Sequence, residues 1–265
     1  MGAQRIITLT TDFGLTEHYV GAMKGVIYSI DPAAQIVDIT NAVQSFDILD
    51  GAMAISQTYG YFPPNAIHMV VVDPGVGSAR RPILALLGQH LFLAPDNGVL
   101  SLVYEREERA SVRHITADHY FHQPVSNTFH GRDIFAPVAA YLSKGVEPAK
   151  FGEEINDYVR FVAPKPKAVA PNAWKGVVLK TDKFGNLITN ISPKDIPQLT
   201  SSSFKITVGK TEVTKLCSSY AEGVQGEIFA ILGSSGFVEI SSNRGAASRL
   251  AGADKGSEVT VVFGG

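Results

Sequence analysis

The residues best placed to do chemistry follow an apolar stretch in the N-terminal half of the chain. Asp73 comes directly after residues 69–72, whose unbroken run of valines is typical of a strand covered on both faces of a parallel sheet. A turn rich in Pro and Gly then bends the chain sharply enough to bring Arg80 or Arg81 back to the same edge. Ligands bind at the carboxyl edge of open α/β sheets, so these side chains predict a functional site. The local alternative is an Asp that caps a turn beside two solvated arginines.

A second carboxylate occupies an equivalent position earlier in the chain. Asp12 follows a strand predicted over residues 5–11, and Glu17 begins a helix predicted over residues 17–30. A carboxylate at the end of a strand can accept hydrogen bonds from both hydroxyls of a ribose, so Asp12 is a candidate nucleoside-binding residue. The alternative role for Asp12 is an N-cap of the helix that follows it.

A third group lies at the start of the apolar helix predicted over residues 128–142. His130, Arg132 and Asp133 all fall in its first residues. The unpaired N–H groups and positive dipole end of a helix N-terminus suit an anion or a polarised water. Capping chemistry explains Asp133 adequately, but it does not explain His130.

The elements that must position these residues alternate between strands and helices and then change character. Strands predicted over residues 5–11, 35–40 and 69–72 alternate with helices over residues 17–30 and 47–61, and a hairpin is predicted from residues 82–87 and 90–94. Prolines interrupt the chain near residues 162–175, and short strands with Gly and Ser punctuation follow. We predict an α/β fold with a Rossmann-like three-layer α/β catalytic domain over residues 1–161, a linker over residues 162–175, and a small β-barrel domain over residues 176–265.

Bulk composition narrows the class of ligand. The 265 residues carry a formal net charge of -2, which leaves no basic footprint for a nucleic acid. Neither glycine-rich phosphate loop is present, and the histidines lack metal-ligand spacing, so we predict no metal and no phosphorylated cofactor. The single cysteine, Cys217, fits a reducing compartment. With no apolar run long enough for a signal peptide or membrane span, we predict a cytoplasmic protein that binds a small molecule and no membrane.

Six short motifs occur together and in order across the two predicted domains. They are TTDFG, VVDPGVGSARR, PDNG, FHGRD, TDKFGN and SSNRG. In this combination the chain resembles the S-adenosyl-L-methionine (SAM) hydrolases, also called SAM hydroxide adenosyltransferases, which are related to the fluorinases and chlorinases. The resemblance covers nearly the whole chain.

The resemblance implies an activity and a set of catalytic residues. The expected reaction is hydrolysis of SAM to adenosine and L-methionine, by attack of water or hydroxide on the ribose C5′. SAM is then the substrate, and no cofactor is needed. Asp73, Arg80 and His130 match the residues that hold the attacking water in the hydrolases. The halogenases carry an aromatic residue in place of this Asp and lack the three residues as a set.

The resemblance also implies substrate contacts and an assembly. Asp12 matches the ribose-binding carboxylate, and Phe184 and Asn186 match residues that bind adenine. The remaining matched positions belong to the amino-acid end of the substrate: Asp182 for the ammonium group, with Asn243 and Arg244 nearby, and Glu17 where the family pattern has Asp. The family architecture is a homotrimer with sites between subunits.

Three alternatives to the hydrolase remain at this level. A chlorinase-like halogenase would act on the same substrate without the Asp, Arg and His set. A non-catalytic SAM or nucleoside-binding protein would need only the binding residues. A nucleoside hydrolase would need a tighter cluster of carboxylates than Asp12 and Glu17 supply.

Overall fold

The computed structural model describes residues 5–264 and separates into two compact units, Met1–Val162 and Ala163–Gly265. The predicted mixed α/β class is confirmed, because each unit is built on its own sheet and helices accompany the first. Within residues 5–264, no helix combines the length and the apolar character that a membrane crossing requires.

The N-terminal unit contains a seven-stranded sheet in the order β2-β1-β3-β5-β4-β6-β7. The first four strands of that order run parallel, and β4, β6 and β7 follow, each antiparallel to the strand before it in the sheet. The strands are β1 (Ile6–Thr11), β2 (Gln35–Thr40), β3 (Ile67–Val71), β4 (Pro82–Leu87), β5 (His90–Pro95), β6 (Ala110–His114) and β7 (Glu154–Ile155).

Helices cover both faces of this sheet. Successive residues of β3 show the arrangement: Met69 and Val71 pack with helices α1 and α4, whereas Val70 and Val72 pack with α2 and α3 on the other face. All four side chains are at most 2% exposed, which explains the valine run that the sequence shows. The helices are α1 (Tyr19–Ile30), α2 (Ile48–Ser56), α3 (Ser101–Tyr104) and α4 (Ala136–Ser143).

Several helices are shorter than their apolar patterns predict. The helix predicted over residues 47–61 ends at Ser56, and a 3₁₀ turn, Tyr59–Tyr61, follows. Residues 98–106 form only the short helix α3, because Gly98 takes a φ of 95°, outside the helical region. The helix predicted over residues 128–142 opens as a π-helical turn, Gly131–Phe135, before α4. The spacing of apolar residues therefore does not fix where these helices begin and end, because turn residues and tertiary contacts determine their ends.

The C-terminal unit contains a nine-stranded sheet in the order β12-β11-β16-β9-β10-β15-β14-β13, with β8 paired to β9. The sheet curls, since β12 at one end contacts β14 beside the other end, and its strands bury one large apolar cluster and a small second one around Phe229. One short helix, α5 (Ala247–Ala251), packs against it. Strand β8 and the start of β9 lie within the stretch for which the sequence predicts a linker.

The strands of this unit are β8 (Lys167–Ala170), β9 (Ala173–Thr181), β10 (Leu187–Thr189), β11 (Phe204–Val208), β12 (Thr211–Val213), β13 (Leu216–Cys217), β14 (Ile228–Leu232), β15 (Val238–Ser242) and β16 (Glu258–Phe263).

Candidate functional site

The turn after β3 returns the chain to the carboxyl edge of the sheet. Asp73 follows the last buried residue of the strand, and its carbonyl accepts a hydrogen bond from the Val76 N–H at 3.2 Å. Gly77 has a φ of 76°, and a Cβ there would lie 2.2 Å from the carbonyl oxygen of Asn127. Only glycine fits this position, and the turn that it permits brings Arg80 back beside Asp73.

Asp73, Arg80 and His130 form one hydrogen-bonded cluster. Arg80 Nε donates to Asp73 Oδ1 at 3.0 Å and Arg80 Nη2 donates to Asp73 Oδ2, so the pair is bidentate. Arg80 Nη2 also donates to His130 Nδ1 at 2.7 Å. The Arg80 and Asp73 side chains are 8% and 5% exposed. The structure therefore brings His130, 50 positions after Arg80 in the sequence, into contact with the Asp73 and Arg80 pair.

The contact with Arg80 determines which nitrogen of His130 carries the proton. A guanidinium group can only donate, so Nδ1 must accept, and the neutral imidazole carries its hydrogen on Nε2. Burial and, next, the Arg80 charge lower the pKa of His130, which favours this neutral form. His130 thus presents an N–H donor on its free side at neutral pH.

Arg80 keeps donor capacity for a further group. Its Nη1 atom is buried and has no hydrogen-bond partner within residues 5–264. An unsatisfied buried donor costs free energy, and an anion or a polarised water would satisfy it. The Phe135 ring, whose centroid lies 5.8 Å from the guanidinium carbon, contributes apolar surface to the same place.

The neighbouring charged residues have structural roles. Arg81 donates from Nε and Nη2 to the buried carboxylate of Asp96, at 2.9 and 2.7 Å, and from Nη1 to Asp157. Arg132 pairs with Asp133, whose carboxylate also accepts the Ser126 N–H at 2.8 Å. These contacts hold loops in place, so Arg80 is the arginine of its pair that joins the cluster.

Asp12 lies directly after β1, and its Oδ2 accepts the Phe46 N–H at 2.8 Å. The N-cap alternative is wrong, because α1 begins at Tyr19 with His18 as its N-cap residue. Phe46 has a φ of 67° and is 74% exposed, an unfavourable combination for an aromatic residue that Asp12 helps to hold. Glu17 lies in the exposed turn before α1, with no hydrogen bond or ion pair seen among the described residues.

All the residues predicted for adenine and methionine except Glu17 line a pocket of about 670 Å³ in the C-terminal unit. Asp182 organises the turn on one side: its Oδ1 accepts the Phe184 and Asn186 N–H groups, both at 2.8 Å, and its Oδ2 accepts from Asn186 Nδ2 at 2.9 Å. Phe184 is left 74% exposed and available for stacking. The other lining residues are Tyr220, Ser242, Asn243, Arg244, Gly245 and Ala246.

Asn243 and Arg244 differ in how they are held. Asn243 donates from Nδ2 to the Gly223 carbonyl at 2.8 Å, which fixes its amide. Arg244 is exposed, takes a φ of 55°, and has no ion pair among residues 5–264. A strained backbone that holds an unpaired cation at a pocket is typical of a binding site.

Comparison with known families covers both units. The N-terminal domain of the SAM hydroxide adenosyltransferases matches residues 7–152, and their C-terminal domain matches residues 176–260. The chain belongs to the SAM hydroxide adenosyltransferase family. The resemblance that the six motifs carry is therefore confirmed.

Individual members of this family align over nearly the whole chain. A protein of Salinispora tropica named (R)-S-adenosyl-L-methionine hydrolase is 35% identical over 97% of this chain and 98% of its own length. A protein of the same name from Thermus thermophilus is 33% identical over 97% of this chain and 100% of its own length. A fluorinase of Actinoplanes is 27% identical over 72% of this chain and 73% of its own length. A solved structure from Thermotoga maritima, titled as an uncharacterized conserved protein, superposes with a TM-score of 0.89 at 36% identity, covering 97% and 100% of the two chains.

Two candidate residues of this family member were missed by sequence reasoning. Phe46 lies beside Asp12 only because the chain after β2 folds back, and its positive φ has no sequence signal in a non-glycine residue. Tyr220 reaches the pocket from a short 3₁₀ turn, where a lone tyrosine among serines has no periodicity. Within residues 5–264, no group of three or more His, Cys, Asp or Glu residues could hold a metal ion.

Proposed function

We propose that this protein hydrolyses SAM to adenosine and L-methionine. The single observation that carries the proposal is the cluster of Asp73, Arg80 and His130 at the carboxyl edge of β3, joined by hydrogen bonds of 2.7 and 3.0 Å. Full-length relatives named as SAM hydrolases support the same reaction.

The chemistry of the substrate defines what the protein must supply. The sulfur of SAM leaves as a neutral thioether, so the leaving group needs neither a general acid nor a metal. Catalysis therefore acts on the nucleophile and on its alignment with C5′. The reaction forms a bond from water oxygen to C5′, breaks the C5′–S bond, and releases one proton to solvent.

The cluster can hold hydroxide, the stronger nucleophile. Arg80 Nη1 retains unpaired N–H donors, and His130 Nε2–H is a further donor on the free side of the ring. Both donors and the fixed Arg80 charge favour an anionic oxygen over neutral water. A general-base role for His130 does not fit this geometry, because its Nδ1 already accepts from Arg80 and its Nε2 carries the hydrogen. Asp73 retains lone pairs that can accept the hydrogen of the nucleophile and orient it.

Substrate binding is assigned to residues of both units. Asp12 accepts hydrogen bonds from the ribose hydroxyls, and Phe184 stacks on adenine while Asn186 hydrogen-bonds its edge. Asp182 accepts from the ammonium group of the amino-acid end. The same assignment places Asn243, Arg244 and Glu17 at that end. Asp12 Oδ1, which has no hydrogen-bond partner among the described residues, and the exposed ring of Phe184 support these roles.

The finer architecture and assembly are part of the proposal. The seven-stranded sheet with helices on both faces suits a Rossmann-like three-layer domain, and the curled nine-stranded sheet suits a small β-barrel. We propose a cytoplasmic homotrimer with active sites between subunits and no nucleic-acid partner. Sedimentation should give three times the 28.4 kDa chain mass, and a monomer that is fully active would contradict the assembly.

Product analysis tests the function. Purified protein is incubated with SAM in chloride-free buffer and in high chloride or fluoride, and nucleosides are separated by chromatography. Adenosine with equimolar methionine in both buffers is the expected result. A 5′-halogenated nucleoside as main product would favour the halogenase. Free adenine would indicate cleavage at C1′, and tight binding without product would favour a SAM-binding protein.

A further inference from the structure

Tyr220 and Glu239 form a hydrogen-bonded pair at the wall of the C-terminal pocket. Tyr220 begins a 3₁₀ turn, is 46% exposed, and lines the pocket together with Asp182. Its hydroxyl donates to Glu239 Oε2 at 2.9 Å. Glu239 lies on β15, where it is only 7% exposed. A buried carboxylate behind an exposed phenol gives that phenol a fixed orientation.

The direction of this hydrogen bond determines what Tyr220 offers to a ligand. A phenol has a single hydrogen, and Glu239 receives it, so only oxygen lone pairs remain for the pocket. Asp182, as a carboxylate, is also an acceptor. This wall therefore suits a group rich in hydrogen-bond donors, such as a primary ammonium, and disfavours a carboxylate.

The surroundings of Glu239 keep the pair in place. A Cβ at Gly233 would lie 1.9 Å from Glu239 Oε1, so glycine is needed there to leave room for the carboxylate. Burial, followed by the hydrogen bond to Glu239, raises the pKa of Tyr220 to about 12. The phenol hence keeps its proton, and the orientation persists at neutral pH.

Arg244 adds a hydrogen-bond donor to a pocket whose Tyr220 wall offers only acceptors. Its guanidinium group, which has no ion pair within the described part of the chain, lines the same pocket and supplies donors, whereas Asp182 and Tyr220 supply acceptors. An α-amino acid group carries one donor cation and one acceptor anion. Such a zwitterion matches the pocket in one orientation, with its ammonium at the Tyr220 wall.

We propose that Tyr220 is a further substrate-binding residue that accepts a hydrogen bond from the ammonium of the amino-acid end, and that Glu239 is the positioning residue that aims its oxygen. The inference rests on the proposed function, since SAM supplies this ammonium. Tyr220 would be a second hydrogen-bond acceptor for the ammonium, on the same side of the pocket as Asp182.

The test measures discrimination at equilibrium with ligands that are not cleaved. S-adenosyl-L-homocysteine and its analogue that lacks only the amino group are each titrated by calorimetry. The Kd of the analogue divided by the Kd of S-adenosyl-L-homocysteine measures recognition of the ammonium. A charge-assisted hydrogen bond predicts that Tyr220→Phe lowers this ratio by about 5- to 20-fold. Glu239→Leu should lower it similarly, and Glu239→Gln, which keeps an acceptor oxygen, should restore most of it. Tyr28→Phe, at a tyrosine of α1 that is 44% exposed, is the matched control.

The outcomes separate the two proposals. An unchanged ratio in Tyr220→Phe, or an equal loss of affinity for both ligands, overturns the binding role. A normal ratio in a folded Glu239→Leu variant overturns the positioning role. SAM turnover is measured in parallel on the wild-type protein: turnover with no discrimination between the ligands contradicts the ammonium contacts of Tyr220 and Asp182 but not the hydrolysis, whereas discrimination without turnover contradicts the hydrolysis but not these contacts.

Discussion

Two histidines of the N-terminal unit lie near opposite ends of β3, and both have a lowered pKa. Burial lowers the pKa of both His130 and His68, to about 3 for His68. His130 is partly exposed at the carboxyl edge and bonded to Arg80. His68 is fully buried near the start of β3, bonded to Thr8 Oγ1 at 2.7 Å, with its other nitrogen 3.4 Å from His90.

The two rings differ in the hydrogen-bonding groups that remain free to contact a ligand. His68 is enclosed by aromatic rings, with Tyr59, Phe62 and Phe92 centroids 4.9 to 6.3 Å away, and both of its nitrogens face protein groups. His130 has a fixed charge on one side and a free N–H on the other. A lowered pKa alone therefore does not identify a functional histidine, whereas unused hydrogen-bonding capacity beside a charged network does.

Arg80 should give the largest effect. Arg80→Lys removes the bidentate contact with Asp73 and the bond to His130, because a single ammonium cannot reproduce the fork. We expect kcat to fall by about 10²–10⁴-fold, as for other lost electrostatic contacts. Arg81→Lys is the matched control: its contacts to Asp96 and Asp157 predict a lower Tm with kcat within a few-fold of wild type. Steady-state kinetics and thermal denaturation of both variants are required. Equal kcat in Arg80→Lys and wild type would show that a positive charge alone suffices, and it would contradict the role of the guanidinium contacts.

His130 variants distinguish a donor from a base. His130→Ala should lower kcat by about 10²-fold or more. His130→Gln supplies an amide N–H with no proton-accepting nitrogen, so it should recover part of the activity if the ring acts as a donor. The pH–rate profiles of both variants are compared with wild type. Complete inactivity in a folded His130→Gln protein, equal to the alanine variant, would favour the base role.

Acid should weaken the fold through His68. In the unfolded chain its pKa is the ordinary 6.5, and in the fold it is about 3. Between these values the unfolded state binds a proton that the native state excludes, so the free energy of unfolding falls as pH drops below 6.5, by about 1.4 kcal/mol per unit. Denaturant titrations from pH 7 to pH 4 measure this slope. In His68→Gln the slope should be shallower, and identical slopes would show that His68 titrates normally.

A pair of threonines on β1 gives the smallest effect. Thr8→Val leaves His68 Nδ1 without its partner and should cost about 1–3 kcal/mol of stability with kcat unchanged. Thr10 Oγ1 is buried without a partner among the described residues, so Thr10→Val should be near neutral or stabilising. Chemical denaturation compares the two. A greater loss in Thr10→Val would contradict the assigned hydrogen bond.

Local patterns in the sequence were sufficient to predict much of this fold. The strands at residues 35–40 and 82–87 match their predicted bounds, and the hairpin turns at Gly88 between its two predicted strands, because alternation and turn residues act locally. Strands β12 and β13 were not predicted, since runs of two or three residues carry no period. The α5 helix is likewise too short for an apolar pattern.

Local sequence likewise predicts some residues of the candidate site and not others. Asp73 and Asp12 were predicted because strand ends are visible in sequence. The choice of Arg80 over Arg81 came from the family resemblance, since local sequence left both open, and only tertiary contacts distinguish them. The tautomer of His130 depends on a contact across 50 residues, which no local pattern contains.

Isotope transfer tests the central claim, that this cluster delivers water oxygen to C5′. SAM is incubated with the enzyme in oxygen-18 water, and the adenosine is analysed by mass spectrometry with fragmentation that separates the ribose from the base. The account predicts one oxygen-18 atom per adenosine, located at the 5′-hydroxyl. Unlabelled adenosine, or label anywhere other than the 5′ position, would contradict it.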